Sequence, residues 1–138
     1  MTIPHVQFFS PDEANALLAT VRPLAEHLVA GRASVRADEA RLAEIRGAVL
    51  GNGAHVDPRE EGELRARIAS SSETVARLVA EIHGLGAQVK DADVGLVDFP
   101  ARGPGGDVVL LCWRAGEDEV AWWHGLEEGF AGRKPLPF

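Results

Sequence analysis

Five polar side chains in the C-terminal third of the chain belong to types that could do chemistry. They are an imidazole, three carboxylates and a guanidinium: Asp98, Glu117, His124, Glu127 and Arg133. Imidazole and carboxylate groups are common nitrogen and oxygen ligands of divalent metals. Nearby tryptophans could shield them from water. The pattern indicates a candidate small-ligand or divalent-metal site, possible also in an enzyme, with His124 near at least two carboxylates and Arg133 closing the rim.

The same residues also fit an interpretation without a ligand. Acids that pair with arginines can form a polar rim around an apolar core, and a histidine that follows two tryptophans usually bonds a backbone carbonyl. The spacing of His124 and Glu127 suits one face of a helix, but Gly125 and Gly129 disfavour a stable helix there. We favour this rim interpretation, in which no cofactor is bound. The residues alone assign no catalytic role.

Cys112 is the single cysteine, and it lies between apolar residues of a predicted strand. One cysteine excludes an internal disulfide and a cysteine-rich zinc site, and it fits a reducing compartment. We expect a buried, unreactive thiol. Residues 1–9 lack the pattern of a signal peptide, and no stretch approaches the roughly 20 apolar residues of a membrane span. A cytoplasmic location is therefore expected.

The charge balance bears on possible partners. The net charge is −7, and arginines alternate with acids along the predicted helices without forming a basic stripe. A phosphate backbone and an anionic membrane surface both require such a stripe. We therefore expect neither a nucleic-acid partner nor a membrane partner.

Two helix-start signals divide the first two thirds of the chain. Ser10 and Asp57 can each cap a helix, a proline follows each of them, and an acid stands three residues after each cap. Apolar residues then recur in steps of three and four, which predicts an antiparallel two-helix coiled-coil hairpin, the arm, over residues 10–86. The first seam comprises Leu17, Val21, Leu24, Leu28, Val35, Leu42, Ile45 and Val49. The second comprises Leu64, Ile68, Ser71, Val75, Leu78, Ile82 and Leu85. Asp38 falls on the first seam, where Arg65 or Arg67 is expected to reach it.

Residues 87–138 predict a small antiparallel β-meander followed by a tail. Strands are expected at 88–90, 95–99, 107–113 and 120–124, with a loop at 100–106 and a turn at 115–118. Residues 6–9 could add an edge strand. The apolar run from Val108 to Trp113 predicts a central strand covered on both faces, on one by the start of the first helix and on the other by the tail or a second copy. The fold class is therefore α+β, with residues 1–138 as a single domain.

Strand register decides whether Asp98 and His124 meet. Pairing Trp113 with Val120 would place His124 on the face of Leu111, whereas a loop centred near Gly103 would place Asp98 on the opposite face. A slip of one residue in either turn would bring the two side chains together. The sequence leaves both arrangements open.

Several short motifs are distributed along the chain. They are Gly95-Leu96-Val97-Asp98-Phe99-Pro100, Leu111-Cys112-Trp113-Arg114 with Gly116-Glu117, Trp123-His124 with Gly129-Phe130-Ala131-Gly132-Arg133, Phe9 with Glu13-Ala14-Asn15, and Arg22-Pro23-Leu24. Together they resemble an uncharacterised bacterial family, domain of unknown function twenty-two-oh-three. The resemblance spans essentially the whole chain and implies a helical hairpin with a small sheet. It implies no reaction, cofactor or partner.

Two functions remain open from the sequence. A thin two-helix arm leaves apolar area poorly covered, so the favoured function is a structural or protein-interaction module that self-associates, most simply as a dimer. The alternative is the small-ligand or divalent-metal site of the C-terminal sheet.

Overall fold

The computed structural model describes residues 6–52 and 57–138. Two long helices precede a five-stranded antiparallel sheet with the strand order β1-β2-β3-β4-β5. The elements are α1 (Pro11–Asn52), α2 (Pro58–Gly84), β1 (Gln88–Asp91), β2 (Leu96–Arg102), β3 (Val108–Arg114), β4 (Trp122–Gly125), a 3₁₀ turn (Phe130–Gly132) and β5 (Lys134–Pro135). The α+β class, the hairpin and the meander are those expected from the sequence.

The two helices begin at the predicted capping residues. The Ser10 hydroxyl accepts a hydrogen bond from the Glu13 backbone N–H, and the Glu13 carboxylate accepts one from the Ser10 backbone N–H. These two hydrogen bonds form a capping box, and they hold the pKa of Glu13 below its usual value. At the second start, the Asp57 carboxylate accepts from the Arg59 backbone N–H. Local hydrogen bonding therefore sets where each helix begins.

The helices of the arm pack antiparallel. Arg41 pairs with Glu60 near the far end of the arm, where α1 ends and α2 begins. Arg67 pairs with Asp38 closer to the middle of the arm. The predicted contact of Asp38 is confirmed, with Arg67 as the partner. Most of the predicted seam is buried or half-buried, but Val49 is 48% exposed. The seam prediction is therefore wrong at Val49, which lies in the last turn of α1, beyond the buried Ile45.

Strand bounds differ from the sequence expectation in three places. Residues 6–9 form no strand; instead, the Phe9 backbone N–H donates to Pro100 O at 2.8 Å. β2 continues through Arg102, so the predicted loop at 100–106 is shorter, because Pro100, Ala101 and Arg102 pair with β3. The tail adds the 3₁₀ turn and β5, which pairs with β4.

The two faces of the sheet have different covers. On the inner face, Val97, Phe99, Leu111 and Trp113 are fully buried in a core shared with both helices. The helix residues Ala14, Leu18 and Ala25 belong to this core but not to the predicted seam, because the start of α1 packs on the sheet. On the outer face, Leu110 and Cys112 are also buried. Residues 126–133 of the tail lie over that face.

Neither α1 nor α2, as far as they are described, contains an apolar stretch long enough for a membrane crossing.

Candidate functional site

The register of three neighbouring strands brings Asp98, Cys112 and His124 together on the outer face. Asp98 pairs with Cys112 between β2 and β3, and Leu110 pairs with His124 between β3 and β4. The β3–β4 register is shifted by one residue from the first alternative above, because Trp122 pairs with Cys112, whereas that alternative would pair it with Leu111. Side chains alternate between faces along a strand, so this single shift moves His124 from the inner face to the face of Asp98.

Asp98 and His124 form a buried pair. The His124 Nε2 atom lies 3.2 Å from Asp98 Oδ2, and the two side chains are only 4% and 2% exposed. His124 Nδ1 lies 2.7 Å from Gly125 O. Because a carbonyl oxygen can only accept a hydrogen bond, Nδ1 carries a hydrogen and donates it to Gly125 O. In the neutral ring, Nε2 would then present a lone pair to the carboxylate.

Two hydrogen-bond acceptors that lie 3.2 Å apart, here His124 Nε2 and Asp98 Oδ2, require a proton or another positive group between them. A second ring proton, which makes His124 an imidazolium, satisfies this requirement, as does a carboxylic acid proton or a metal cation. The other carboxylate oxygen, Asp98 Oδ1, is buried and accepts no hydrogen bond of good geometry from the described residues. Hydrogen bonding between the Cys112 thiol and the Asp98 carboxylate nevertheless contributes to the raised pKa of the thiol, so a thiol donor faces this carboxylate.

Cys112 adds a third potential ligand. One donor atom from each of Asp98, Cys112 and His124 can be chosen so that all three lie within 4.8 Å of one another. Burial, followed by the neighbouring Asp98 charge, raises the pKa of the Cys112 thiol to about 12. The thiol is therefore protonated at neutral pH without a metal, which agrees with the expectation of an unreactive cysteine.

A pocket of about 260 Å³ opens beside the buried pair. Asp98, His124 and Leu110 lie on its sheet side. Its other walls come from β1, β2 and the tail: Lys90, Leu96, Leu126, Glu127, Glu128, Gly129 and Phe130. The pocket connects the polar pair to the surface through a tail whose residues 126–131 are mostly exposed.

Glu117 and Arg133 form a separate pair at the edge of the outer face. Arg133 Nη2 lies 2.6 Å from Glu117 Oε1 and 3.2 Å from Cys112 O, to both of which it donates. Its guanidinium lies 4.6 Å from the Phe130 ring centroid and 5.1 Å from that of Trp122. Cation–π contact and the ion pair hold this part of the tail over Cys112. Glu117 therefore supports the cover over the site.

The sequence-predicted residues are thus divided between two places. Asp98 and His124 are in contact, Glu127 lines their pocket, and Glu117 pairs with Arg133. Sequence reasoning left Cys112 and Lys90 out of the candidate site. Cys112 and Leu110 lie two positions apart on β3, so the sequence alone could place them on one face of the sheet. The β3–β4 register was needed to place His124 on that face as well.

These features define a class of α+β protein: a helical hairpin packs on one face of a five-stranded meander, and the other face buries a carboxylate, a thiol and an imidazole. A family model described as Uncharacterized conserved protein (DUF2203) matches residues 7–136, and the chain belongs to that family. No curated protein matches the chain. A search of solved structures likewise finds no match.

Proposed function

We propose that this chain is a small-ligand-binding protein whose site is the pocket beside Asp98 and His124. The observation that carries the proposal is the buried pair itself, which lies beside a pocket of about 260 Å³ and in which Asp98 Oδ1 accepts no hydrogen bond of good geometry from the described part of the chain. The proposal covers binding and assigns no reaction.

The energetics of buried charge support a ligand role. Desolvation of a buried carboxylate and imidazole offsets much of their attraction, so apolar residues of similar volume would often stabilise a core equally well or better. The inner face shows that this sheet can be packed with apolar side chains alone. A polar pair on the outer face therefore supports binding more readily than packing.

A thermal-shift measurement with named probes tests this proposal. We expect a small cation, tested as zinc sulfate, magnesium chloride and methylammonium chloride, to raise the Tm of the purified protein saturably, because a ligand that binds only the folded state stabilises it. Asp98→Asn should abolish the shift, since it removes the carboxylate charge at nearly constant volume. Asp118→Asn, in the exposed β3–β4 connection, is the matched control. Shifts that are equal in the two variants would refute the proposal.

A second candidate function is self-association through the far end of the arm. Val49 is 48% and Leu50 88% exposed, and both line a shallow pocket with Ile45, Arg46 and Glu61. Apolar side chains exposed together favour association with a partner surface. We propose a symmetric dimer, with coiled-coil packing in the arm, and a reducing location such as the cytoplasm for the free Cys112 thiol.

Light scattering at concentrations well above micromolar tests the second candidate. The expected result is a dimeric mass that falls to the monomeric mass in Leu50→Lys, because a charge at the contact disfavours association. Leu126 is exposed near the sheet rather than on the arm, so the control Leu126→Lys should leave the mass unchanged. A monomeric mass for the parent protein would contradict this candidate without affecting the ligand pocket.

A further inference from the structure

We propose that Asp98, Cys112 and His124 together bind one divalent transition-metal ion of the zinc type. The inference rests on the proposed ligand-binding function and names the ligand of that pocket.

The three donors come from three adjacent strands and share one face. β2 provides the carboxylate, β3 the thiol and β4 the imidazole, so the backbone hydrogen bonds of the sheet fix their relative positions. In a tetrahedral zinc site, bonds of about 2.0–2.3 Å place ligand atoms about 3.3–3.8 Å apart. His124 Nε2 and Asp98 Oδ2 are 3.2 Å apart, and the whole donor set lies within 4.8 Å. Small side-chain adjustments therefore suffice to form the site.

The hydrogen bond of His124 prepares its ring for a metal. A metal-bound histidine typically donates its second ring N–H to a carbonyl or carboxylate, which fixes the tautomer and orients the ring. His124 Nδ1 donates to Gly125 O at 2.7 Å and thereby leaves the Nε2 lone pair directed at Asp98. A cation between Nε2 and the carboxylate would remove the conflict between these two acceptors.

The donor chemistry selects the class of metal. Magnesium and calcium prefer oxygen ligands, whereas a set of one nitrogen, one sulfur and one oxygen suits zinc and its transition-metal neighbours. When the ion binds, the Cys112 S–H bond breaks, its proton passes to solvent and the thiolate binds the metal. One thiolate, one carboxylate, a neutral imidazole and a divalent cation then sum to zero charge, which lowers the cost of burial.

The site would retain one open position. Three protein ligands leave the fourth tetrahedral position to water or a small ligand, which is the pattern of exchangeable rather than structural zinc sites. The pocket beside Asp98 and His124 offers room for such a molecule, between Leu96, Phe130 and Glu127.

The test uses the untagged 138-residue chain after removal of metals with EDTA. Titration with cobalt chloride should give one ion per chain and a near-ultraviolet sulfur-to-cobalt band. Because Cys112 is the single cysteine, that band reports this residue alone. Zinc sulfate should displace the cobalt and abolish the band. Cobalt binding without this sulfur-to-cobalt band in the parent protein, or no cobalt binding at all, would overturn the proposal, and neither result depends on how any variant folds.

Variants then locate the site. Cys112→Ser, Asp98→Asn and His124→Gln should each weaken zinc binding by at least about tenfold, the scale seen even for partners outside the ligand shell. His27→Gln, an exposed position on α1, is the matched control. Unchanged zinc affinity in all four variants would place the ion elsewhere and overturn the proposal. If zinc does not bind but methylammonium chloride still raises the Tm through Asp98, the metal assignment is wrong while the proposed ligand pocket stands.

Discussion

The inner and outer faces of the same sheet are both buried, but by different means. Along β2, Val97 and Phe99 point to the inner face and Asp98 to the outer; along β3, Leu111 and Trp113 alternate with Cys112. Two long helices cover the inner face, whereas a short tail covers the outer one. The difference teaches that strand alternation separates two roles here: one face supplies the stabilising core, and the other holds polar groups for which packing offers no explanation.

The largest expected effect is the loss of a large side chain from the inner face. Trp113 is fully buried and its indole N–H donates to Glu117 O at 3.0 Å. Trp113→Ala should lower the free energy of unfolding by about 3–5 kcal/mol, because it removes apolar contacts and leaves a cavity. Urea denaturation followed by circular dichroism measures this loss.

The matched substitution on the outer side is Phe130→Ala, in the tail. The Phe130 ring is 44% exposed, so its removal should cost less than about 1 kcal/mol. A loss as large as that of Trp113→Ala would mean that the tail contributes to the core as much as the helices do.

The next effect separates a buried ion pair from packing. His124→Leu leaves the Asp98 carboxylate buried without its partner and should cost about 3 kcal/mol at neutral pH with EDTA present. The double substitution Asp98→Leu/His124→Leu should recover more than half of that loss, since apolar side chains then fill the same space. The free energies of unfolding of the two variants and the parent give the answer. A double variant no more stable than the single would show that the pair stabilises the fold as a unit.

Local signals explain what the sequence predicted well. The capping residues Ser10 and Asp57 each act within three positions of themselves, so both helix starts could be read directly. The antiparallel contact of Asp38 with Arg67 followed from counting along two regular helices. These predictions needed no knowledge of how distant segments meet.

The site required information that no local pattern contains. The β3–β4 connection differs by one residue from the simplest pairing, and that difference alone decides whether His124 faces Asp98 or the helices. The cover over Cys112 depends on Arg133, whose contacts with Glu117, Trp122 and Phe130 join separate parts of the chain. Of the predicted group of five, the structure brings His124 and Asp98 into contact and places Glu127 at the same pocket, whereas Glu117 pairs with Arg133 at the edge of the face.

A smaller effect is expected where the sheet contacts the arm. Gly95 has φ +69°, and a Cβ added there would lie 2.7 Å from Ala115 Cβ and 3.0 Å from Val29 Cγ2. Gly95→Ala should therefore lower the free energy of unfolding by about 2 kcal/mol, through backbone strain and overlap together. Gly116→Ala is the control, because Gly116 has φ +102° but open space around its Cβ position. Gly116→Ala should lose only the free energy that backbone strain costs, about 1 kcal/mol. Equal losses of unfolding free energy for Gly95→Ala and Gly116→Ala in chemical denaturation would contradict the predicted contact.

The smallest expected effect lies on the arm, away from both sheet faces. The hydrogen bond from Arg67 holds the pKa of the Asp38 carboxyl below its ordinary value of 3.8. Because the unfolded chain has the ordinary value, this pair contributes stability above that pH, and the contribution is lost as the pH falls through the lowered folded value. Arg67 is 58% exposed, so solvent screening keeps the contribution small.

The variant Asp38→Asn isolates this contribution. Its Tm should lie slightly below that of the parent at neutral pH, and the difference should shrink as the pH falls below 3.8 and through the lowered folded pKa, where the parent carboxyl becomes protonated as well. Glu39→Gln, an exposed neighbour, should show no such pH-dependent difference. Thermal melts of the three proteins across this range measure the effect. A difference that grew on acidification would reverse the sign argued here, and it would mean that Asp38 is harder to ionise in the folded arm than in the unfolded chain.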